Sequence, residues 1–374
     1  MRVHGPQPHS LQNRELRVRV AVTPFPIWRN NIKILRLTLT LILIAAGLTS
    51  GRACDLCGCF TPQLNAAPQT QPGPWWTKGW YAAIGEQFTR FATLQLDGEE
   101  VANPTGQYLN SSISQLVGGY QINSRFALQI NVPLIYREFK RPEGFEIQQG
   151  TVSGLGDVSL LLNTVLFHYA SPGQRSFEFY GKNPVAVDHE PDFTVSAILL
   201  TGLKFPTGDS SRLKEEFHEI EIPGAPESGI HGHDLTLGTG SYDGIFGEQT
   251  SLRYKNMFFE TNVQFAARTE GTHEYRFADD LIWSGGPGYY VVRNADTILG
   301  IQFVASGEYK GRDRFRGQPA DDTGISSVFL GPRVLASRGR WSAEVSAELP
   351  VFIHNTALQA VPDYRLHGAI SVQF

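Results

Sequence analysis

The most constraining feature of this chain is strict period-two alternation between Trp341 and Ile353. Trp341, Ala343, Val345, Ala347, Leu349, Val351 and Ile353 fall on one face, and Ser342, Glu344, Ser346 and Glu348 on the other. Successive side chains of a strand point to opposite faces, so this pattern predicts an extended strand with one apolar and one polar side. Three further segments repeat it. Phe126, Leu128, Ile130, Val132, Leu134 and Tyr136 alternate with Arg125, Gln129, Asn131 and Arg137; Phe193, Val195, Ala197, Leu199, Leu203 and Phe205 alternate with Thr194, Ser196 and Lys204. Met257, Phe259, Val263, Phe265 and Ala267 alternate with Glu260, Asn262, Gln264 and Arg268. Each run is about ten residues or longer, against five or six for an ordinary globular strand. Such strands fit an all-β fold, a transmembrane antiparallel barrel with lipid outside and water inside.

A soluble sandwich or propeller also alternates, but with shorter strands and short turns at both ends. Here the connections differ by end. They are tight at Asn123-Ser124, Lys255-Asn256, Arg293 to Asp296 and Ser337 to Arg340, and long at 94–108, 139–153, 206–240, 271–287, 311–323 and 354–362. Short turns on one rim and long loops on the other are the asymmetry of outer-membrane barrels, and strands placed between these connections number about 12. Segment 170–192 is the one connection on the short-turn side that reads long, and 286–293 is a weak strand.

Both ends of the chain support the same location. Leu37 to Leu48 is an apolar run of 12 residues flanked by Lys33 and Arg36, too short to span a bilayer as a helix and suited to a signal peptide. Gly51 and Ala53 fit a cleavage site, which predicts residues 1–53 as signal peptide, 54–78 as a Cys-containing periplasmic segment with a Pro-rich tether, and 79–374 as the barrel. At the other end Tyr364, Leu366, Ile370, Val372 and Phe374 alternate with Arg365, His367, Ser371 and Gln373. A terminal strand ending on Phe374 resembles the signal that the barrel assembly machinery reads in a Gram-negative outer membrane, so that machinery and the outer-membrane lipid are the expected partners. The net charge of −4 argues against nucleic acid as a partner.

A narrower resemblance is carried by four motifs. Gly154-Leu155-Gly156-Asp157-Val158, Gly202 to Asp209 (GLKFPTGD), Leu237 to Asp243 (LGTGSYD) and Pro362-Asp363-Tyr364-Arg365-Leu366 stand in order and spacing similar to the outer-membrane protein family associated with the meta-pathway of phenol degradation. The resemblance covers roughly residues 80–374 and implies a channel or transporter, in some members linked to aromatic or other hydrophobic compounds. Taken by themselves, the glycines and Pro206 read as strand ends and loop exits, because Pro removes a ladder donor and Gly permits a sharp turn.

Function is expected in the lumen and loops. The predicted lumen-lining residues are Arg125, Arg137, Lys204, Glu260, Arg268, Glu344, Glu348, Arg365 and His367, with ion pairs between the neighbouring strands that carry the last four. Barrels of about this size fall between small filled ones and wide porins, so a narrow or plugged passage for a small-molecule solute is expected. No nucleophile and base stand at an interpretable spacing, so no enzyme is expected. The alternative is a metal-handling or redox-sensing barrel. Cys54, Cys57 and Cys59 offer three thiolates where a closed zinc site takes four ligands, and Gly58 stands where a haem motif needs His. Another group or chain completing a transition-metal site and a reactive thiol cluster both fit this spacing. His231, His233 and Asp234 in the longest loop form a second, weaker metal candidate.

Overall fold

The computed structural model describes residues 78–171, 175–180, 183–188, 191–217, 222–294 and 296–374. The expected signal peptide and all three cysteines lie outside these residues. The described chain is almost entirely antiparallel sheet, and no helix is long and apolar enough to cross a membrane.

The strands are β1 (Gly79–Leu96), β2 (Tyr108–Gln121), β3 (Phe126–Glu143), β4 (Glu146–Leu155), β5 (Ser159–Ala170), β6 (Phe193–Lys204), β7 (Asp243–Tyr254), β8 (Met257–Ala267), β9 (Asp280–Arg293), β10 (Thr297–Lys310), β11 (Ile325–Arg338), β12 (Trp341–Asn355) and β13 (Leu358–Gln373). All except β4 pair in sequence around the wall, and β13 returns to β1 with Tyr81 opposite Gln373 and Phe88 opposite Leu366. The result is a closed barrel of twelve strands, the number the sequence predicts. Closure pairs the first and last strands of the barrel, so neither is left as a free edge inside lipid.

The exception is informative. β4 pairs with the long-loop half of β3 (Leu134 to Glu143), Gly156 to Val158 interrupt the strand, and β5 then pairs with the short-turn half of β3 (Phe126 to Asn131). Among the described residues no strand pairs with the far side of β4. The wall is therefore broken beside Asp157.

Alternation places the side chains as expected along most of the wall. Leu128, Ile130, Leu134 and Tyr136 are exposed on the outside, while Asn131, Ile135 and Arg137 are buried inside. Trp80, Tyr254, Tyr289, Trp341 and Phe374 are exposed near the short-turn rim, the aromatic girdle of a membrane barrel. The tight turns have local causes. The Asn123 carboxamide oxygen accepts from the backbone N–H of Arg125 (2.8 Å) and Phe126 (3.0 Å), and Asn294 does the same for Asp296 and Thr297.

The structure corrects several boundaries. Segment 139–153 is a paired hairpin turning at Gly144-Phe145, and segment 354–362 is a tight hairpin at Thr356-Ala357. β9 begins at Asp280, so loop 271–287 is shorter than expected, and segment 170–192 contains a small hairpin of Arg175–Tyr180 and Asn183–Asp188. In all four places the apolar alternation fades before the hydrogen-bonded ladder does. A ladder beyond the lipid needs no apolar face. The register shift opposite Val328 and Phe329 puts an extra residue at Val351, which leaves both Val351 and Phe352 exposed and moves Ile353 off the apolar face.

Candidate functional site

The described residues of the long loop, 206–217 and 222–240, fold into the long-loop mouth of the barrel. Its 3-10 turn Ser211–Phe217 and short helix α1 (Gly232–Leu235) bury Leu213, Ile230, Leu235 and Leu237 almost completely. Ile230 and Leu235 join Phe91, Leu94, Leu109, Phe139 and Ala360 of the inner wall in one apolar cluster. Leu213 packs with Tyr275, Phe277 and Phe315 from the neighbouring loops. Arg137 donates from Nη1 to the backbone carbonyls of Asp234 (2.8 Å) and Thr236, and Arg141 pairs with Glu215 at 2.7 Å. Gln107 clasps the loop from the β1–β2 side, donating to Glu227 O and accepting from Gly229 N, each at 2.9 Å.

Three of the four sequence motifs converge on the base of this plug. Lys204 Nζ lies 2.7 Å from Asp157 and 2.6 Å from Asp243, with all three side chains essentially buried, and also bonds Thr239 Oγ1. Asp157 accepts from the backbone N–H of Gly208 and of Thr239, both at 2.9 Å, and so holds the two ends of the loop together. A Cβ at Gly208 or Gly238 would collide with the opposing loop backbone, so these glycines allow two chain segments to pass in contact against Asp157. Arg268 extends the network to Asp243 at 3.0 Å and to Asp280. A signal for the cluster does exist in the sequence: Lys204 pairs in register with Ser159 on one side and Asp243 on the other, so motifs that close successive strands must meet. The fourth motif lies elsewhere. Asp363 accepts from Thr93 N–H (3.2 Å) and Thr93 Oγ1 (2.7 Å) where β13 and β1 shift register, at the seam that closes the barrel.

A second polar group lies inside the wall below the plug. Arg365 donates to Glu308 at 2.8 Å and stacks 3.8 Å over the Phe329 ring. Ser306 holds Glu348, His367 stands 3.6 Å from Glu348, and Arg333 donates to Gln302 Oε1 at 3.2 Å. Glu344, half-buried, lines the same cavity as Glu348, Arg333, Arg365 and His367; at about 30 Å³ it holds roughly two waters. The inner wall also carries apolar patches, including Phe258, Tyr290, Ile298 and Leu335.

Arg137, Lys204, Glu260, Arg268, Glu348 and Arg365 are thus buried inside the barrel, and Glu344 and His367 are half-buried there. Arg125 is not part of the lining. It is exposed in the turn before β3, where alternation extrapolated past the strand end no longer sets direction. Sequence reasoning missed Asp157, Asp243 and Glu308, whose roles depend on neighbours from other strands. His233 is nearly fully buried, 3.1 Å from Glu216 and 3.3 Å from Asp234, and its ring stacks on that of His231, which stands 3.5 Å from Asp322. Burial disfavours the charged imidazole of His233, but Asp234, Glu216 and Asp322 together outweigh it and hold the pKa well above the ordinary value. Among the described residues no three His, Cys, Asp or Glu are grouped to hold a metal ion.

No family model matches the chain, and no curated protein matches its sequence. Among solved structures the chain is similar to the COG4313 outer membrane channel from Pseudomonas putida F1, at 14% identity and TM-score 0.51, over 82% of this chain and 99% of that one. Weaker likenesses are the beta domain of the Bordetella autotransporter BrkA (12% identity, TM-score 0.36, 80% and 100% coverage) and a Pseudomonas aeruginosa FadL homologue (8%, 0.35, 87% and 99%). At these identities the likeness is one of architecture: the chain has the fold of an outer-membrane β-barrel channel.

Proposed function

We propose that this protein lies in a Gram-negative outer membrane and passes small hydrophobic molecules, aromatic compounds among them, without doing chemistry on them. The observation that carries this reading is loop 206–240, latched into the mouth of a barrel whose outer face is apolar. A mouth filled in this way does not serve as a general pore for water-soluble solutes, which need a wide wet lumen. Apolar patches inside the wall give a hydrophobic solute surfaces to move along, and the break beside Asp157 gives it a side route towards lipid. The likeness to an outer membrane channel supports the same reading. In this arrangement the long loops face the exterior, the short turns and the segment before Gly79 face the periplasm, and the strand ending at Phe374 is read by the assembly machinery.

Whole cells test the proposal. Cells lacking the gene should take up a dilute radiolabelled aromatic hydrocarbon more slowly than wild type, with uptake of a small sugar unchanged. Equal hydrocarbon uptake in the two strains would remove the proposal's support.

A further inference from the structure

One lumenal carboxylate is left without use by the fold. Glu260, on β8, is 6% exposed, and neither of its side-chain oxygens accepts a hydrogen bond. The charges that act on it are those of Arg333 and Glu344, yet no ion pair joins it to Arg333, whose guanidinium bonds Gln302 instead. Two other inward residues have partners: Arg268, just past the end of β8, is bonded to Asp243 and Asp280, and Phe258 is packed. A buried ionisable group without a partner is costly and is retained where a function uses it.

The surroundings of Glu260 are polar on one side and apolar on the other. Glu260 pairs in the ladder with Gly286, which presents no side chain on that face to partner the carboxylate. One step along the wall, Ser284 and Arg333 line the small polar cavity. One step the other way, Phe258 stacks on Tyr290 with ring centroids 4.4 Å apart, and Ile298 and Leu335 complete an apolar patch. A carboxylate only accepts hydrogen bonds, so the missing partner must be a donor.

We propose that Glu260 is the head-group acceptor of a lumenal binding site for a small apolar molecule carrying a hydrogen-bond donor, a hydroxyl or an ammonium, whose apolar part rests on Phe258, Tyr290, Ile298 and Leu335. This rests on the channel reading above and adds a chemical class to it. Molecules of this class are held in transit more tightly than hydrocarbons of the same size.

Equilibrium dialysis of the full-length protein in detergent against 2-phenylethylamine, 2-phenylethanol and ethylbenzene tests the assignment. Wild type should hold at least one donor probe about tenfold more tightly than ethylbenzene, the scale of a hydrogen bond to a charged group. Glu260→Leu should bring that ratio below about twofold. This variant removes an unpaired buried charge, so it should assemble; heat-modifiable gel mobility checks that it does. Glu260→Gln keeps an acceptor and should retain preference for the alcohol while losing any for the amine. Preference for the amine alone identifies ammonium, and preference for both identifies donors in general. Equal binding of the three probes by wild type, or a preference that survives in Glu260→Leu, overturns the assignment while ethylbenzene binding still supports a hydrophobic channel. Failure of all three probes to bind overturns both.

Discussion

Replacing Lys204 with Met tests whether the ionic cluster at the base of the plug holds loop 206–240 in place. The ammonium lies 2.7 Å from Asp157 and 2.6 Å from Asp243, and the side chains are 2%, 1% and 0% exposed. Without it Asp243 keeps Arg268 at 3.0 Å, but Asp157 loses its cation in a buried setting. Removing one partner of a buried ion pair costs about 3–5 kcal/mol. Two other partners of Asp157, the backbone N–H groups of Gly208 and Thr239, belong to the loop itself, so the cost falls on loop docking. At about 1.4 kcal/mol per decade, the undocked population rises by roughly two to three and a half orders of magnitude. Planar-bilayer conductance should increase and protease should cut within 206–240 under conditions that leave wild type intact. Adding Asp157→Asn should recover part of the loss, because the uncompensated charge is gone. Wild-type conductance and wild-type proteolysis in the single variant would refute the latch.

Arg137→Leu should loosen the same loop from above, by about 1.5–3 kcal/mol for hydrogen bonds to a charged donor, read as faster proteolysis of 206–240 without loss of the barrel. Proteolysis of the loop should also depend on pH. The raised pKa of His233 contributes docking stability that is complete below the ordinary His value and lost as pH rises through the raised one; the lowered pKa of Asp322 contributes above the ordinary Asp value and is lost as pH falls through the lowered one. Burial opposes the depression at Asp322, and His233 and His231 overcome it. Docking is therefore tightest between these limits, and His233→Gln should abolish the alkaline release; a protease profile unchanged by that substitution would contradict the assignment. Deleting residues 54–60 should leave heat-modifiable barrel in the membrane fraction at wild-type level, whereas deleting Phe374 should reduce it several-fold.

The wall was legible in the sequence because a membrane barrel writes its geometry into alternation: Leu128 against Gln129, or Val345 against Ser346, states which side meets lipid. Where a local event breaks the period, as at the Val351 bulge, parity fails beyond it and Ile353 is misplaced. Hairpins that rise beyond the lipid, such as 139–153, lose the apolar face and read as loops although their backbones remain paired. A narrow or plugged passage was expected from barrel size, but which loop fills it was not legible. Its inward fold depends on Arg137 and Gln107 reaching carbonyls roughly a hundred residues away, and hydrogen bonds to backbone leave no trace in side-chain pattern. The Asp157, Lys204 and Asp243 cluster stood between these cases: each motif was visible as a strand end, but its charge acquires meaning only once strand order brings the ends together.

A plugged barrel of this kind should pass apolar solutes and exclude polar ones. Proteoliposomes loaded with an aromatic-degrading enzyme as an internal trap measure this directly, with toluene at concentrations where bilayer entry is limiting and glucose swelling followed in parallel. Toluene turnover should be faster than in protein-free liposomes, with glucose swelling close to the protein-free rate; rapid glucose entry with no acceleration of toluene would contradict a plugged hydrophobic channel.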